Sequence, residues 1–366
     1  MADTSLVGTN ATPNCRGLLP SAAPARDSQS ATQARSSTSS HEDETGSLSL
    51  VRKALISKGV PKAAQQVILN SWRKSTKKQY DTYIRRWITF CGGNKNPFAP
   101  SINEVLAFFV QLYNKGLKYS SFLTARAALN SFINIIGNLN ITENILIKRF
   151  VQGVYIERPS LPRYSTMWDV NIVLRFYENK SDLSLLQLSC KLSILFLLVT
   201  AQRCQTLHLI RLQDIIITDE NCIIKATSLL KQSRPGHHLQ DMNIQTYTKN
   251  PNICVVKTLS EYIARTSFLR EKEQKLLIST QKPHSGVTKA TIGRWVKLAM
   301  SQAGVGRNFT AHSTRAAATS KAYMTGVPLS TIVRTAGWAN AKMFEKFYNK
   351  HIVIDNSDTF QGAIQK

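Results

Sequence analysis

The chain is poor in acid: 22 Asp plus Glu stand against 47 Lys plus Arg in 366 residues, a formal charge of +25. Neutral self-association needs no such imbalance, whereas a polyanionic partner does. Nucleic acid is the first such partner; a ribosome, an anionic membrane surface or a merely basic exterior are the alternatives. Long apolar runs are also missing. The most apolar stretch, Leu192 to Ala201, spans about ten residues, with Lys191 at its edge and Arg203 just beyond. A bilayer span wants roughly twenty, so a buried helix is expected there. No apolar segment follows Met1, and no secretory signal is expected. The six cysteines, at 15, 91, 190, 204, 222 and 254, form no CxxC pair. That argues against a disulfide frame or a zinc site and for reduced thiols inside a cell.

What is present is a chain long enough for about two domains, each with its own core, and 43% of it is apolar. Residues 1–48 are rich in Ser, Thr, Ala and Pro and carry five acids and three Arg, so the positive charge lies in the remainder. Such a composition cannot offset its ordering entropy and predicts a disordered tail. From 49 to 156 the pattern is helical. Val67, Trp72, Tyr80, Tyr83, Ile84, Trp87 and Phe90 recur at three- and four-residue steps, with Lys74, Lys77, Lys78, Arg85 and Arg86 interleaved. Ser101 with Glu104 reads as a capping box for the next helix, and a further helix runs from Ser120 to Gly137, so four or five helices are expected. Residues 157–168, with Pro159 and Pro162, read as a linker. Beyond it, Val170–Phe176 and Leu183–Thr200 read as helices, and 214–218, 223–226 and 242–244 as short strands. The remainder is mostly helical. The expected second domain, 169–354, is therefore mixed α+β, and 355–366 forms a tail.

The densest chemistry lies in the last third. Ala311-His312-Ser313-Thr314-Arg315 is followed by Gly337-Trp338 and then Phe347-Tyr348-Asn349-Lys350. A His and an Arg at a three-residue step share one helix face. At a helix N-terminus, with free N–H groups, both favour a phosphate oxygen. The helix they open should end at Gly326, before Pro328. Gly337 reads as a helix C-cap. Tyr348 is expected on a short helix from about Asn340, with Phe344 and Phe347 on its face. Each residue also has a plain reading: Trp338 as a core indole, Tyr348 as one more packing aromatic, with Tyr323 and Tyr262 as competing phenols. Together they are what a transesterification of a phosphodiester requires: a phenol nucleophile and cations around the phosphorane. Neither metal nor ATP is needed for it. A metal-dependent route would want two or three convergent carboxylates, and the second domain has no DxD or ExxE cluster.

This ordered set resembles the C-terminal signature of the tyrosine recombinases, the phage-integrase superfamily. The resemblance implies further site residues. Arg203, in Thr200-Ala201-Gln202-Arg203-Cys204-Gln205-Thr206-Leu207, matches the first catalytic Arg of the pattern T-G-x-R-x-x-E-L. Here Ala201 replaces the Gly, and Thr206 stands where an acid is common. Lys231 matches the mobile general-acid Lys of the β-hairpin, with Lys225 as the competing assignment. His312 would help move the nucleophile's proton and Arg315 would clamp a nonbridging oxygen. Trp338 would buttress the site and donate one hydrogen bond to the phosphate, and Tyr348 would be the nucleophile. The segments Ser71 to Tyr80, Tyr119 to Ser121, Lys231 to Gly236 and Gly326 to Leu329 add to the likeness, which covers roughly residues 65–352. They resemble the Crypton and DIRS-type recombinases of eukaryotic mobile elements, and no reverse-transcriptase-like segment is present.

The resemblance implies an α+β, mostly helical fold: an all-α, SAM-like core-binding domain followed by a mixed α/β catalytic domain, closing on double-stranded DNA as a clamp. It implies four protomers on two duplexes, no cofactor, no metal and a nuclear location. Lys74, Lys77, Lys78, Arg85 and Arg86 are the candidate phosphate contacts of the first domain. A DNA-binding protein that no longer recombines, and a type IB topoisomerase-like relaxing enzyme, are the other classes compatible with these residues.

Overall fold

The computed structural model describes residues 47–352, apart from 136, 138, 231, 232, 234 and 237. The Ser/Thr-rich segment up to 46, the tail from 353 onward and Lys231 lie outside the described residues. The chain divides into two compact units, 1–160 and 161–366.

Six helices are described in the first unit: α1 Ser47–Ser57, α2 Lys62–Asn70, α3 Lys74–Cys91, α4 Ile102–Asn114, α5 Tyr119–Ile133 and α6 Ile145–Glu157. One more appears than the four or five expected. The apolar series from Val67 to Phe90 is divided at Ser71-Trp72-Arg73, where Arg73 is extended and α3 restarts. The capping box of α4 is present: the Glu104 amide donates to Ser101 Oγ and the Ser101 amide to Glu104 Oε2. Gly92, left-handed at φ 57, closes α3, a conformation that glycine adopts without steric cost. The core gathers Trp87, Phe108, Phe109, Phe122 and Phe132. The Trp87 indole N–H donates to the Pro97 carbonyl at 2.9 Å.

The second unit begins inside the segment read as a linker. Thr166–Met167 forms strand β1, Tyr164 packs on Phe309, and the Trp168 indole donates to Ser313 Oγ at 2.9 Å. Two prolines signal a break in helix, but a two-residue strand whose partner lies near the chain's end leaves no local pattern. Then follow α7 Val170–Glu178, α8 Leu185–Thr200 and α9 Cys204–Leu209. Strands β2 Ile215–Ile217, β3 Asn221–Ile224 and β4 Met242–Gln245 make an antiparallel sheet in chain order. The unit closes with α10 Val255–Thr266, α11 Lys289–Gln302, α12 Ser313–Met324, α13 Leu329–Ala336, α14 Lys342–Phe347 and β5 His351–Ile352. Leu188 through Leu198 of α8 are all buried, and α10, α11 and α12 pack around it. A helix buried over so long a run is a core helix, as the sequence implied for the stretch from Leu192, although Val199 near its end is exposed. Among the described residues, no helix is long and apolar enough to cross a membrane, and the five cysteines are free thiols. Strand β5 pairs in parallel with β1, Thr166 opposite His351 and Met167 opposite Ile352.

Candidate active site

Three chain reversals bring the candidate residues together. The first follows α8, where Ala201 takes a left-handed conformation at φ 51 and turns the chain so that extended Arg203 precedes α9. The Gln202 side chain fixes this turn. It is fully buried, donates to the Thr335 carbonyl at 2.7 Å and accepts from Thr206 Oγ1 at 3.2 Å. Thr206, in the slot where the resemblance expects an acid, is therefore engaged with Gln202.

The second reversal opens α12. His312 occupies the N-cap position and Arg315 lies one turn in, buried to 1% exposure. The Arg315 guanidinium donates to the Ala201 carbonyl at 2.9 Å and to the Ala336 carbonyl at 2.6 Å. One side chain thus joins the α8–α9 turn to the end of α13. Cations are favoured at helix C-termini, and Ala336 is the last residue of α13. The guanidinium carbon sits 4.7 Å from the Trp338 ring centroid and 5.6 Å from that of Tyr348.

The third reversal follows Ala336, where Gly337 is left-handed at φ 66 and turns the chain into Trp338. The Trp338 and Tyr348 rings lie 4.6 Å apart, tilted by 36°. Tyr348 follows α14 as its C-cap instead of lying on it. Its hydroxyl is 3.3 Å from His312 Nε2, and its carbonyl accepts from Ser320 Oγ at 2.6 Å. The Lys350 amide donates to the same Ser320 Oγ at 3.1 Å. Of the two phenylalanines expected beside it, Phe344 is buried against Trp338, but Phe347 is half exposed. The helix ends at Phe347, so Tyr348 departs from the helical period that placed them on one face.

Burial, and then the charge of nearby Arg203, push the Arg315 guanidinium down to about 9; Tyr348 acts in the opposite direction. Arg203 and His312 line one cavity of about 190 Å³. Arg203, His312, Arg315, Trp338 and Tyr348 thus converge. Among the described residues, Arg315 Nε and Trp338 Nε1 are buried donors without a hydrogen-bond partner. Each such group costs about 1–3 kcal/mol unless an acceptor meets it. An anion beside Arg203 and Arg315 would offset the repulsion of the two guanidiniums.

Lys231 lies outside the described residues. Lys225, its competitor, lines a small pocket with Asp214, Thr206 and Met242. Tyr262 is buried and its hydroxyl accepts from the Ile278 amide, and Tyr323 packs on Phe344; the phenol beside His312 is that of Tyr348. In the first unit, Lys74, Lys78, Arg85 and Arg86 are exposed on α3, with Ile84, Trp87 and Cys91 buried on it. Lys77 donates to Asn70 at 3.3 Å, and Arg85 pairs with Asp81 at 2.7 Å. Two residues of the site region were not legible in sequence. Ser320 fixes the Tyr348 backbone, and Lys289 lines the Arg203–His312 cavity. Lys289 lies outside the recognisable signature, and Ser320 lies inside it at a position with no distinctive chemistry.

The sequence pattern of the phage integrase family matches residues 169–352. The chain belongs to the phage integrase family. Its fold is similar to that of the XerH site-specific recombinase bound to palindromic difH substrate in a post-cleavage complex. The TM-score is 0.55 at 16% identity, over 85% of this chain and 87% of that one. It is also similar to the Tn1549 transposon integrase in complex with transposon right end DNA, at a TM-score of 0.51 and 14% identity, over 88% of this chain and 98% of that one. At such identities the likeness concerns the fold: a helical first unit and a mixed, mostly helical second one. No curated protein matches the chain in sequence.

Proposed function

We propose that the chain is a site-specific DNA recombinase that cleaves and rejoins strands through a phosphotyrosyl intermediate. The observation that carries this reading is the Tyr348 hydroxyl at 3.3 Å from His312 Nε2, beside a guanidinium and an indole that each hold an unpaired buried donor. A scissile phosphate at that point would accept from Arg315 and Trp338, with Arg203 at its open side. Tyr348 oxygen attacks phosphorus as His312 takes its proton. The bond to the 5′ oxygen breaks, and that oxygen leaves protonated, a proton for which Lys231 is the donor in this reading. The product is a 3′-phosphotyrosyl ester and a 5′-hydroxyl. Attack by the 5′-hydroxyl of a second duplex returns the proton to Tyr348 and completes the exchange. Fixed donors around the developing charge supply most of the rate enhancement.

The family, the charge of +25 and the DNA-bound state of the XerH and Tn1549 proteins support double-stranded DNA as the partner. Within the family, the segments from Ser71 to Tyr80 and from Gly326 to Leu329 favour the Crypton and DIRS-type recombinases, and with them a nuclear location and synapsis by four protomers. Incubation with a nicked duplex carrying the element's terminal sequence should trap a covalent protein–DNA adduct, absent in Tyr348→Phe. An adduct that survives in this variant would overturn the assignment of the nucleophile. Relaxation of a supercoiled plasmid without strand joining between duplexes would reassign the chain as a relaxing enzyme.

A further inference from the structure

The cavity that Arg203 and His312 share with the cleavage site extends beyond them to Gln205 and Lys289, which the cleavage chemistry does not use. That part lies between α9 and the start of α11, two helices that pack together. Neither Asp nor Glu lines it. Lys289 is the first residue of α11, and Thr288 caps that helix by accepting from the Thr291 amide at 3.2 Å. The N-terminal end of a helix of fourteen residues adds partial positive charge where Lys289 stands. Among the described residues, no carboxylate pairs with Lys289. Its field nevertheless reaches inward: the His208 imidazole is held below its ordinary range by burial first, with Lys275 and Lys289 adding to it.

His312 belongs to both places. Its ring meets the Tyr348 hydroxyl and also lines this cavity, so the cavity begins one side chain away from the attacking oxygen. Successive phosphates of a strand advance only about 3.4 Å along the duplex axis. A strand gripped at Tyr348 therefore brings a second phosphate close to this basic pocket. Resting on the recombinase reading, we propose that the cavity is a second phosphate subsite, in which Lys289 holds the backbone phosphate next to the scissile one. Lys suits this task, since a flanking phosphate needs a point charge on a flexible stem and not the two-point grip of a guanidinium.

The test is a salt titration of full-length protein on a short synthetic duplex of random sequence, comparing wild type with Lys289→Gln, Lys289→Arg and the exposed α10 control Lys257→Gln. In Lys289→Gln the slope of log affinity against log salt should shrink by about 0.9, the value for one phosphate. Lys289→Arg and Lys257→Gln should keep the wild-type slope. A wild-type slope in Lys289→Gln, or an equal loss in Lys257→Gln, would overturn the subsite. The nicked-duplex adduct assay separates this from failure of the underlying reading. A wild-type adduct with an unchanged Lys289→Gln slope refutes the subsite alone. A shortened slope without any wild-type adduct leaves Lys289 as a DNA contact and refutes the placement beside a scissile phosphate.

Discussion

The Arg315 guanidinium donates from its two terminal nitrogens to the Ala201 and Ala336 carbonyls, and of its three nitrogens Nε alone has no partner. Lysine in its place would keep a charge but lacks the planar fork that reaches carbonyls on two elements while lying flat against an indole. Arg315→Lys should therefore lower single-turnover adduct formation by about 10²–10³-fold, the usual cost of losing a donor to developing negative charge. Trp338→Phe isolates the indole N–H, since the ring contact with Tyr348 persists. A hydrogen bond to a charged oxygen is worth about 1.5–3 kcal/mol, so adduct formation should fall about 10- to 100-fold; an unchanged rate would show that the indole only packs. The depressed Arg315 value carries a pH signature. Burial, and then the Arg203 charge, hold the pKa of the folded guanidinium down to about 9, well below that of an unfolded Arg. Folding stability should thus rise with pH above about 9, where the buried charge disappears. The pH profile of kcat/KM, which reports the free enzyme, should fall across the same range, since a neutral guanidine no longer attracts phosphate. These two opposite trends are read by thermal unfolding and by adduct kinetics.

Each reversal that aims the site's side chains is made by an element terminus, and one of them departs from the expected residue. Ala201 holds φ 51 where the family pattern has Gly. For an L-residue that conformation costs about 1–2 kcal/mol. Replacement by Gly relieves this, loses about 0.8 kcal/mol of methyl burial and about 0.4–1 kcal/mol through the looser unfolded chain. The terms nearly cancel, so Ala201→Gly should leave stability within about 1 kcal/mol of wild type. Ala201→Val, β-branched at positive φ, should lower it by more than that, measured by denaturant unfolding. The elements were mostly readable because their signals are local. Ser101 and Glu104 mark the start of α4, an apolar run marks α8, and the left-handed Gly337 marks the end of α13. Strands β1 and β5 were not readable, because two-residue strands become strands only by pairing across nearly two hundred residues of chain. Tyr348 was placed on α14 because the aromatic spacing fits a helix; the structure ends that helix one residue earlier.

Over the whole molecule, excess positive charge is the property most open to measurement. Binding to any duplex should weaken steeply with salt, by about 0.9 log units per log salt for each phosphate neutralised. Lys74→Gln and Lys78→Gln, at exposed α3 positions, should each reduce that slope by about 0.9 if they meet phosphates. Arg85→Gln should do less, since Arg85 already spends its charge on Asp81. Equal slopes for all variants would mean that this helix face is merely solvated. By itself the sequence determined the excess of positive charge, the order of the candidate site residues and most helices. Charge and short-range periodicity survive in one dimension. Only the tertiary structure decided that Arg203, His312, Arg315, Trp338 and Tyr348 converge. It also revealed Gln202 tying the α9 turn to α13, Ser320 holding the Tyr348 backbone, and Lys289 reaching the same cavity. These contacts join residues distant in the chain, where burial and geometry, not spacing, select the partner.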